Sequence, residues 1–178
     1  MVNGLTRKPR VLQPPLPMRN RHLTVHSWLP VLVMMLLFAG CDHTTVFHHY
    51  ENISQDGWGR SDTLRFEIPP ISTDGNYLAT LELRTNSTYP YTNLSIIVES
   101  DLQPHSQHFS DTLRCSLTDQ RGNITGKGIS QYQYRFPLAT RHLTQGQALT
   151  FSVYHNMRRE TLPGIIDIGL HIQKTDGR

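Results

Sequence analysis

The chain has 178 residues, which is enough for one folded domain and hardly for two. Only 17% of the residues are charged, and the net charge of +3 is unevenly placed, because residues 1–40 contain Arg and Lys but no Asp or Glu. The remainder is slightly acidic and has no basic stripe with interleaved aromatic residues, so we expect no nucleic-acid partner. Two cysteines are too few for a disulfide-rich scaffold.

Residues 1–40 are organised as a secretory leader. The apolar run Leu29–Phe38 has the length of a signal-peptide core, and it is shorter than the roughly 20 residues that a membrane-spanning helix needs. The basic segment before it is long for a signal, and Met18 would begin a signal of ordinary length. The sequence therefore predicts a leader and lipoprotein signal peptide over residues 1–40, with Met18 as an alternative start.

The leader ends in Phe38-Ala39-Gly40-Cys41. Bacterial lipoprotein signals end in a lipobox of this kind, in which small residues precede a cysteine whose thiol takes a diacylglycerol thioether. We predict that Cys41 is acylated, with palmitate among the fatty acids, and anchors residues 41–178 to a lipid bilayer; more than one acyl chain is needed for a stable hold. The alternative is an ordinary signal followed by a structural cysteine, in which case Cys41 and Cys115 could form a disulfide.

The first part of the mature chain, residues 41–61, is predicted to be a tether, with a candidate strand over Thr45–Tyr50. Three histidines, His43, His48 and His49, lie in this segment. A metal site needs three or four ligands in a suitable geometry. We therefore expect exposed histidines on a tether rather than a metal site.

From residue 62 onward, short segments alternate apolar and polar residues, as strands with one buried face do. Turn-forming sequences such as Thr73-Asp74-Gly75-Asn76 and Pro163-Gly164 separate them. About eight strands predict an all-β antiparallel β-sandwich over residues 62–178, jelly-roll-like or Ig-like. A short helix fits only at Asn156–Thr161. The residues that define the predicted strands are Leu64, Phe66 and Ile68; Tyr77, Ala79, Leu81 and Leu83; Leu94–Glu99; Phe109, Leu113 and Cys115, with Asp111 as a polar exception; Tyr132, Tyr134 and Phe136; Leu149, Phe151, Val153 and His155; and Ile166, Ile168, Leu170 and Ile172.

Sequence patterns of catalysis and cofactor binding are not found: the chain has no nucleophile elbow, HExxH, P-loop, GxGxxG or EF-hand motif. The glycine-rich segment Gly122–Gly128 lacks the Gly-Lys-Ser/Thr ending of a phosphate loop and predicts a tight hairpin. The acidic residues lie on different predicted strands, so no carboxylate pair for glycoside hydrolysis can be chosen. We expect no enzymatic activity, no cofactor and no metal.

The tripeptide Asp-Thr-Leu occurs twice, at residues 62–64 and 111–113. It fits the Asp-Ser/Thr-apolar pattern of periplasmic O-glycosylation in some bacteria, and Thr63 and Thr112 would then be the acceptors. The alternative is structural, because Thr has a good strand propensity beside a Leu that packs inward.

Aromatic residues supply the remaining candidate sites. Tyr89-Pro90-Tyr91 lies in a predicted turn, where burial in a core is harder. Exposed aromatic residues on the loops of a β-sandwich suit protein or sugar binding. Trp58, Tyr89 and Tyr91 are therefore candidate partner-binding residues, and the alternative is that such rings plug the ends of the sandwich.

An ordered series of short motifs runs through the mature chain. These are Cys41-Asp42, Gly57-Trp58, Asp62-Thr63-Leu64, Tyr89-Pro90-Tyr91 with Asn93-Leu94, Asp111-Thr112-Leu113 with Cys115, Leu117, Asp119 and Gly122, Gly126-Lys127-Gly128, Met157-Arg158, and Leu162-Pro163-Gly164-Ile165 with Asp167, Gly169 and Ile172. In this order they resemble the gliding motility lipoprotein GldH family over nearly all of residues 41–178. The sequence departs from the family's pattern at Asn123, where an aromatic residue is expected.

The resemblance implies a lipid-anchored cell-envelope protein that is associated with gliding machinery, and it brings no catalytic residues. We expect a non-enzymatic accessory component that binds other envelope proteins and faces the periplasm. Since Tyr89 and Tyr91 could also stack on sugar rings, the alternative is a carbohydrate-binding surface lipoprotein.

Overall fold

The computed structural model describes residues 44–104 and 106–175, and all regular secondary structure in these ranges is β-strand. None of the described residues forms a helix that could cross a membrane. The strands are β1 (Thr45–Asn52), β2 (Trp58–Gly59), β3 (Leu64–Ile68), β4 (Gly75–Asn86), β5 (Asn93–Gln103), β6 (Gln107–Ser116), β7 (Gln131–Leu143), β8 (Ala148–His155), β9 (Thr161–Leu162) and β10 (Ile165–Thr175).

Two four-stranded antiparallel sheets form a sandwich. The first sheet has the strand order β1-β10-β4-β7, the second has the order β3-β8-β5-β6, and β2 pairs separately with β9. The long strands pair in a nested way, β5 with β6, β4 with β7, β3 with β8 and β1 with β10, as when one long hairpin is wrapped into two sheets. The predicted antiparallel β-sandwich is confirmed, and its strand order is that of a jelly roll rather than an Ig domain.

The core lies between the two sheets and follows the alternation of the sequence. Along β4 the predicted inward residues Tyr77, Ala79, Leu81 and Leu83 are all buried. The continuously apolar segment Leu94–Glu99 predicts a strand buried on both faces, but β5 alternates, with Leu94, Ile96 and Val98 buried and the residues between them half-buried. Full burial of a leucine or isoleucine side chain contributes about 1.5–3 kcal/mol relative to exposure. The apolar pattern therefore determines which face of each strand lies inside.

The polar exception on β6 lies where the two sheets meet at an open side of the sandwich. Asp111 is exposed, and its carboxylate lies 3.7 Å from the guanidinium of Arg141 on β7. The same guanidinium lies over the ring of Phe109, 3.6 Å from its centroid. Because β6 and β7 are edge strands, this ion pair covers the gap between them, and a carboxylate is tolerated at an inward position.

The segment predicted to be a tether, residues 41–61, differs from that prediction in the part that the structure describes. The candidate strand is confirmed, because β1 pairs along its length with β10, from Thr45 opposite Gln173 to Asn52 opposite Asp167. Trp58 and Gly59 then pair with β9. The sandwich therefore begins at Thr45 and not at residue 62.

The predicted short helix at Asn156–Thr161 is wrong. Residues 156–160 form no helix, and Thr161 enters β9, where it pairs with Gly59. The segment is a connection that the short β2–β9 sheet holds in place.

The strands run between two ends of the sandwich. The near end is where the chain enters β1 at Thr45, and it also carries the β3–β4, β5–β6 and β7–β8 connections. The far end carries the β4–β5 connection (residues 87–92), the β6–β7 connection (residues 117–130) and the β8–β9 connection (residues 156–160). The candidate tyrosines Tyr89 and Tyr91 therefore lie at the far end.

Candidate partner-binding site at the far end

A pocket lined by aromatic rings opens at the far end, between the β4–β5 and β6–β7 connections. We define this tyrosine pocket by Tyr89, Tyr91, Tyr132, Tyr134 and Ile124, and its cavity volume is about 230 Å³. Typical small-molecule sites are larger, about 300–1,000 Å³. A pocket of this size and lining suits a few side chains of a partner protein.

Tyr89 and Tyr91 are half-buried and hold each other in place. Their ring centroids lie 5.6 Å apart at 73°, an edge-to-face arrangement that aromatic pairs prefer. The Tyr89 hydroxyl donates a hydrogen bond to the backbone oxygen of Asn93 (2.8 Å). Burial raises the pKa of Tyr89 well above its usual value, so the hydroxyl stays protonated and can only act as a neutral group. Gly164 (φ +80°) allows this loop to pack closely, because a Cβ there would lie 2.3 Å from the Tyr89 nitrogen.

The β6–β7 connection is a folded loop that forms one wall of the pocket. The carboxylate of Asp119 accepts hydrogen bonds from the side-chain amide of Asn123 (2.9 Å) and from the backbone nitrogens of Asn123 and Arg121 (2.8 Å each). These bonds hold the pKa of Asp119 below its usual value. Gly126 lies directly on Tyr134, where a Cβ would be 2.6 Å from the ring. These hydrogen bonds and this close packing favour the observed conformation of the loop.

This loop also presents apolar side chains to solvent. Among the described residues, the large hydrophobic side chains that are exposed are Ile124 (47%) and Ile129 (95%), and both lie in the β6–β7 connection. Ile124 lines the tyrosine pocket. Paired backbone hydrogen bonds between Lys127 and Gln133 (2.9 and 3.0 Å) close the turn that carries Ile129. Single exposed hydrophobic residues are common, but two in one loop, one of which lines an aromatic pocket, indicate a contact surface.

A separate polar cluster, the Glu82 network, lies on the outer face of the first sheet. Four residues lie side by side on the four neighbouring strands of this sheet: Tyr50, Gly169, Glu82 and Arg135. Because Gly169 has no side chain, the Tyr50 ring crosses β10, and its hydroxyl donates to Glu82 Oε2. His48 Nε2 lies 3.0 Å from the same oxygen.

The carboxylate of Glu82 is completely buried although it points away from the core. Arg135 Nη2 forms an ion pair with Oε1 at 2.7 Å, and Oε1 has no hydrogen bond of good geometry. Burial by itself would raise the pKa of Glu82, but the hydrogen bonds from Tyr50 and His48 and the charge of Arg135 hold it below its usual value. Burial and the bond to Glu82 raise the pKa of Tyr50 to about 12.

The neighbouring row contains a second buried carboxylate. Arg84 Nε donates to Asp167 Oδ1 (2.7 Å), its Nη2 pairs with Oδ2, and its guanidinium lies 4.6 Å from the centroid of the Tyr50 ring. Gln133 Nε2 donates to the Tyr50 hydroxyl (3.1 Å). The Glu82 network therefore joins all four strands of the first sheet. In the described part of the chain, no group of three or more potential ligands could hold a metal ion.

Trp58 is not available to a partner, so its prediction as a partner-binding residue is wrong. The ring is 0% exposed, the indole N–H donates to the backbone oxygen of Asp62 (2.9 Å), and the ring packs edge-on against His155 at 5.3 Å. His155 is also buried, with Nε2 3.1 Å from the Trp58 oxygen, and burial lowers its pKa. Trp58 instead fills the far end of the sandwich beside β9, which is the structural alternative given for these aromatic residues.

The structure places the other predicted site residues as follows. Thr63 and Thr112 are both exposed: Thr63 lies directly before β3 and Thr112 lies in β6, and β3 and β6 are the edge strands of the second sheet. Cys115 is a free, buried thiol, and burial raises its pKa to about 12. Cys41 and His43 lie outside the described residues.

Sequence reasoning missed the Glu82 network. Glu82 and Asp167 occupy outward positions of central strands, which the alternating pattern predicts to be solvent-facing. Their partners come from strands that are distant in the sequence, and pattern analysis cannot pair them. One signal was present: Gly169 interrupts an apolar strand, and a glycine inside a strand often marks the close approach of another group.

Sequence comparison with known proteins gives matches to one family over most of the chain. A family model described as GldH lipoprotein matches residues 45–172. The chain is 28% identical over 154 residues to a gliding motility lipoprotein GldH homolog of Christiangramia forsetii, covering 80% of this chain and 91% of that protein. It is 26% identical over 161 residues to the gliding motility lipoprotein GldH of Flavobacterium johnsoniae, covering 85% and 98%. Among solved structures, Eiger TNF from S. frugiperda aligns with a TM-score of 0.33 and 9% identity, over 76% of this chain and 96% of that chain.

Proposed function

Because this chain belongs to the GldH lipoprotein family, we propose that it is a lipid-anchored, non-enzymatic accessory component of a cell-envelope machinery. Its task in this proposal is to bind other envelope proteins. The relatives from Christiangramia forsetii and Flavobacterium johnsoniae are named for gliding motility, and the matches span most of both chains. These names support a lipid anchor and an association with gliding.

The anchor in this proposal is Cys41. The sequence Phe38-Ala39-Gly40-Cys41 supports it, since small residues precede a thiol that can form a thioether with diacylglycerol. Further acylation, with palmitate among the candidates, would supply the second chain that stable anchoring needs. The folded domain would then face the periplasm.

The tyrosine pocket is the observation that carries the binding role. Tyrosines are enriched in protein interfaces, because each ring offers a large apolar area with few rotatable bonds and a polar tip. Tyr89 and Tyr91 are already fixed by each other and by the bond to Asn93. A partner that fills the pocket would therefore lose little affinity to the ordering of side chains.

The Glu82 network supports a structural role for the buried carboxylates. Glu82 accepts hydrogen bonds from Tyr50 and His48 and forms an ion pair with Arg135, and Asp167 forms an ion pair with Arg84. Because the pKa of Glu82 is held below its usual value, this carboxylate is a poor proton acceptor near neutral pH. The network therefore fits a structural role, in which it links the strands of the first sheet.

A crosslinking pull-down of the native lipoprotein tests the proposal. We compare the wild-type chain with Tyr91→Ala, which removes one of the rings that line the pocket. The matched control is Tyr154→Ala, at a half-buried tyrosine on the outer face of the second sheet. We expect Tyr91→Ala to recover roughly tenfold less partner, as for the loss of a central interface side chain.

Two results would contradict the proposal. Equal recovery of the same proteins by both variants and the wild type would remove the pocket from binding. Binding of the purified chain to a glycan array that is lost in Tyr91→Ala would support the carbohydrate-binding alternative instead.

A further inference from the structure

We infer that the far end of the sandwich is the docking surface for an acidic and apolar segment of a partner protein, and that the near end faces the anchoring membrane. The surface consists of the tyrosine pocket with Ile129, Arg121 and Lys127. The inference rests on the proposed lipid anchor at Cys41. It adds the orientation of the domain and the chemistry of the partner.

The chain between the anchor and the fold is short. Only residues 42–44 lie between Cys41 and Thr45, the first residue of β1. Four steps along an extended backbone span at most about 14 Å, whatever conformation these residues adopt. The start of β1 is therefore held near the headgroups, and no long tether lets the domain diffuse away from the membrane.

The near end has a surface that suits a position beside headgroups without insertion. Its connections are rich in uncharged polar residues, such as Ser72-Thr73 and Thr144-Gln145. The carboxylate of Asp74 is occupied by the backbone nitrogen of Gln145 (2.6 Å), and Lys174 Nζ donates to Thr73 Oγ1 (3.0 Å). No large hydrophobic side chain is exposed there among the residues that the structure describes.

The far end carries the opposite chemistry. β4 has 12 residues and runs from one end to the other, so at about 3.3 Å per residue the ends are roughly 40 Å apart. Ile124 and Ile129 are both at the far end. If they were at the near end, they would favour insertion into the bilayer; at the far end they favour contact with a protein.

Two cations in the loop that forms one wall of the pocket indicate what the partner carries. Arg121 and Lys127 lie in the β6–β7 connection and form no ion pair with any described residue, whereas the nearby carboxylate of Asp119 is used by its own loop. A segment with apolar side chains would fill the pocket of about 230 Å³. Acidic residues beside them would pair with the two cations, and such complementarity sets register and association rate.

The orientation is tested on the full lipoprotein reconstituted in vesicles. Ser130→Cys places a thiol at the far end and Gln145→Cys places one at the near end, both at exposed positions. Buried Cys115, whose pKa is raised to about 12, should not compete for a thiol-reactive fluorophore. With spin-labelled headgroups in the bilayer, we expect several-fold stronger quenching at 145 than at 130. Equal or stronger quenching at 130 would overturn the orientation.

A failed anchor gives a different result. If the chain does not bind vesicles at all, and behaves like a Cys41→Ser variant, then the proposed lipid anchor is wrong, and the orientation inference falls with it. If the chain binds but the far-end probe is quenched, the anchor stands and only the orientation is wrong.

The partner chemistry is tested in cells with a photocrosslinker. Ile129 is replaced by p-benzoylphenylalanine, and Gln145 is replaced in the matched control. We expect a protein adduct at 129 whose crosslinked peptide contains apolar residues and Asp or Glu, and we expect Arg121→Glu with Lys127→Glu to reduce it at least several-fold. A lipid or glycan adduct at 129, or a protein adduct that is insensitive to the charge reversal, would overturn the inference.

Discussion

The Glu82 network gives a prediction whose size can be worked out from the structure. Glu82→Gln keeps the shape of the side chain but removes its charge. The buried oxygen Oε2 then accepts from Tyr50 and His48 as a neutral amide, or presents an N–H where an acceptor is needed. Glu82 is 0% exposed, so water cannot replace the lost interactions.

Two contributions set the magnitude of the loss. Hydrogen bonds to a charged group contribute about 1.5–3 kcal/mol each, and neutral ones about 0.5–1.5 kcal/mol. The Arg135 side chain is 60% exposed, so solvent screens its ion pair, which should add no more than about 1 kcal/mol. We therefore expect Glu82→Gln to lower the free energy of unfolding by about 2 kcal/mol.

Urea denaturation at pH 7, with Glu67→Gln as the matched control, measures this loss. Glu67 pairs with Arg65 at 3.2 Å, but both side chains are more than half exposed, so its substitution should change stability by less than about 0.5 kcal/mol. Equal losses in Glu82→Gln and Glu67→Gln would refute the account of a buried, charge-dependent brace.

The pH dependence provides a second check on the same variant. The pKa of Glu82 in the folded chain is below its ordinary value of 4.5, so the unfolded chain takes up the proton first as the pH falls. The contribution of the charge is complete above about pH 4.5 and is lost as the pH falls through the folded-state pKa. The difference in the free energy of unfolding between wild type and Glu82→Gln should therefore narrow as the pH falls below about 4.5. A difference that does not change with pH would mean that charge is not its cause.

Three further predictions concern other parts of the fold. Gly169→Ala should lower stability without any change in charge, because the new Cβ would lie 2.6 Å from the Tyr50 ring; an unchanged denaturation midpoint would contradict this. Trp58→Ala should cost about 3–5 kcal/mol, measured in the same way, because the ring is fully buried; a cost typical of a surface residue would contradict its burial. Cys115 should resist iodoacetamide at pH 8 until the chain is unfolded, because its thiol is buried with a pKa of about 12; labelling of the native chain would contradict this.

The predicted O-glycosylation of Thr63 and Thr112 can be checked in the native host. If both exposed threonines carry sugars, the wild-type protein should migrate more slowly than a Thr63→Ala, Thr112→Ala double variant, and each single variant should lose part of the shift. Identical migration of all forms would contradict glycosylation and would support the structural explanation of the two Asp-Thr-Leu segments.

The sequence predicted the sandwich because its alternation is strong where one strand face is buried. The inward residues of β4, from Tyr77 to Leu83, could be placed from spacing alone, and all are buried. The same reasoning could not assign β1 to the sheet, although it marked a candidate strand there. The partner of β1 is β10, at the other end of the chain, with Thr45 opposite Gln173. The half-exposed face of an edge strand leaves too weak a pattern to show such pairing.

The candidate site was predicted in part. Tyr89 and Tyr91 were marked because a turn containing a proline seldom enters a core, and they line the pocket. Trp58 was marked for the same chemistry but is buried, because the short β2–β9 sheet closes over it. No local pattern predicts a two-stranded sheet formed by residues so far apart in sequence. The wall that contains Ile124 was predicted only as a hairpin, since its contacts with β7 depend on the fold.

The mass of the native N-terminal peptide tests the central claim most directly, because both the envelope location and the orientation of the domain depend on the anchor. The account predicts that the mature chain begins at Cys41 and that this residue carries a thioether-linked diacylglycerol, with a further acyl chain. A mature chain with an unmodified Cys41, or with Cys41 joined to Cys115 in a disulfide, would contradict it.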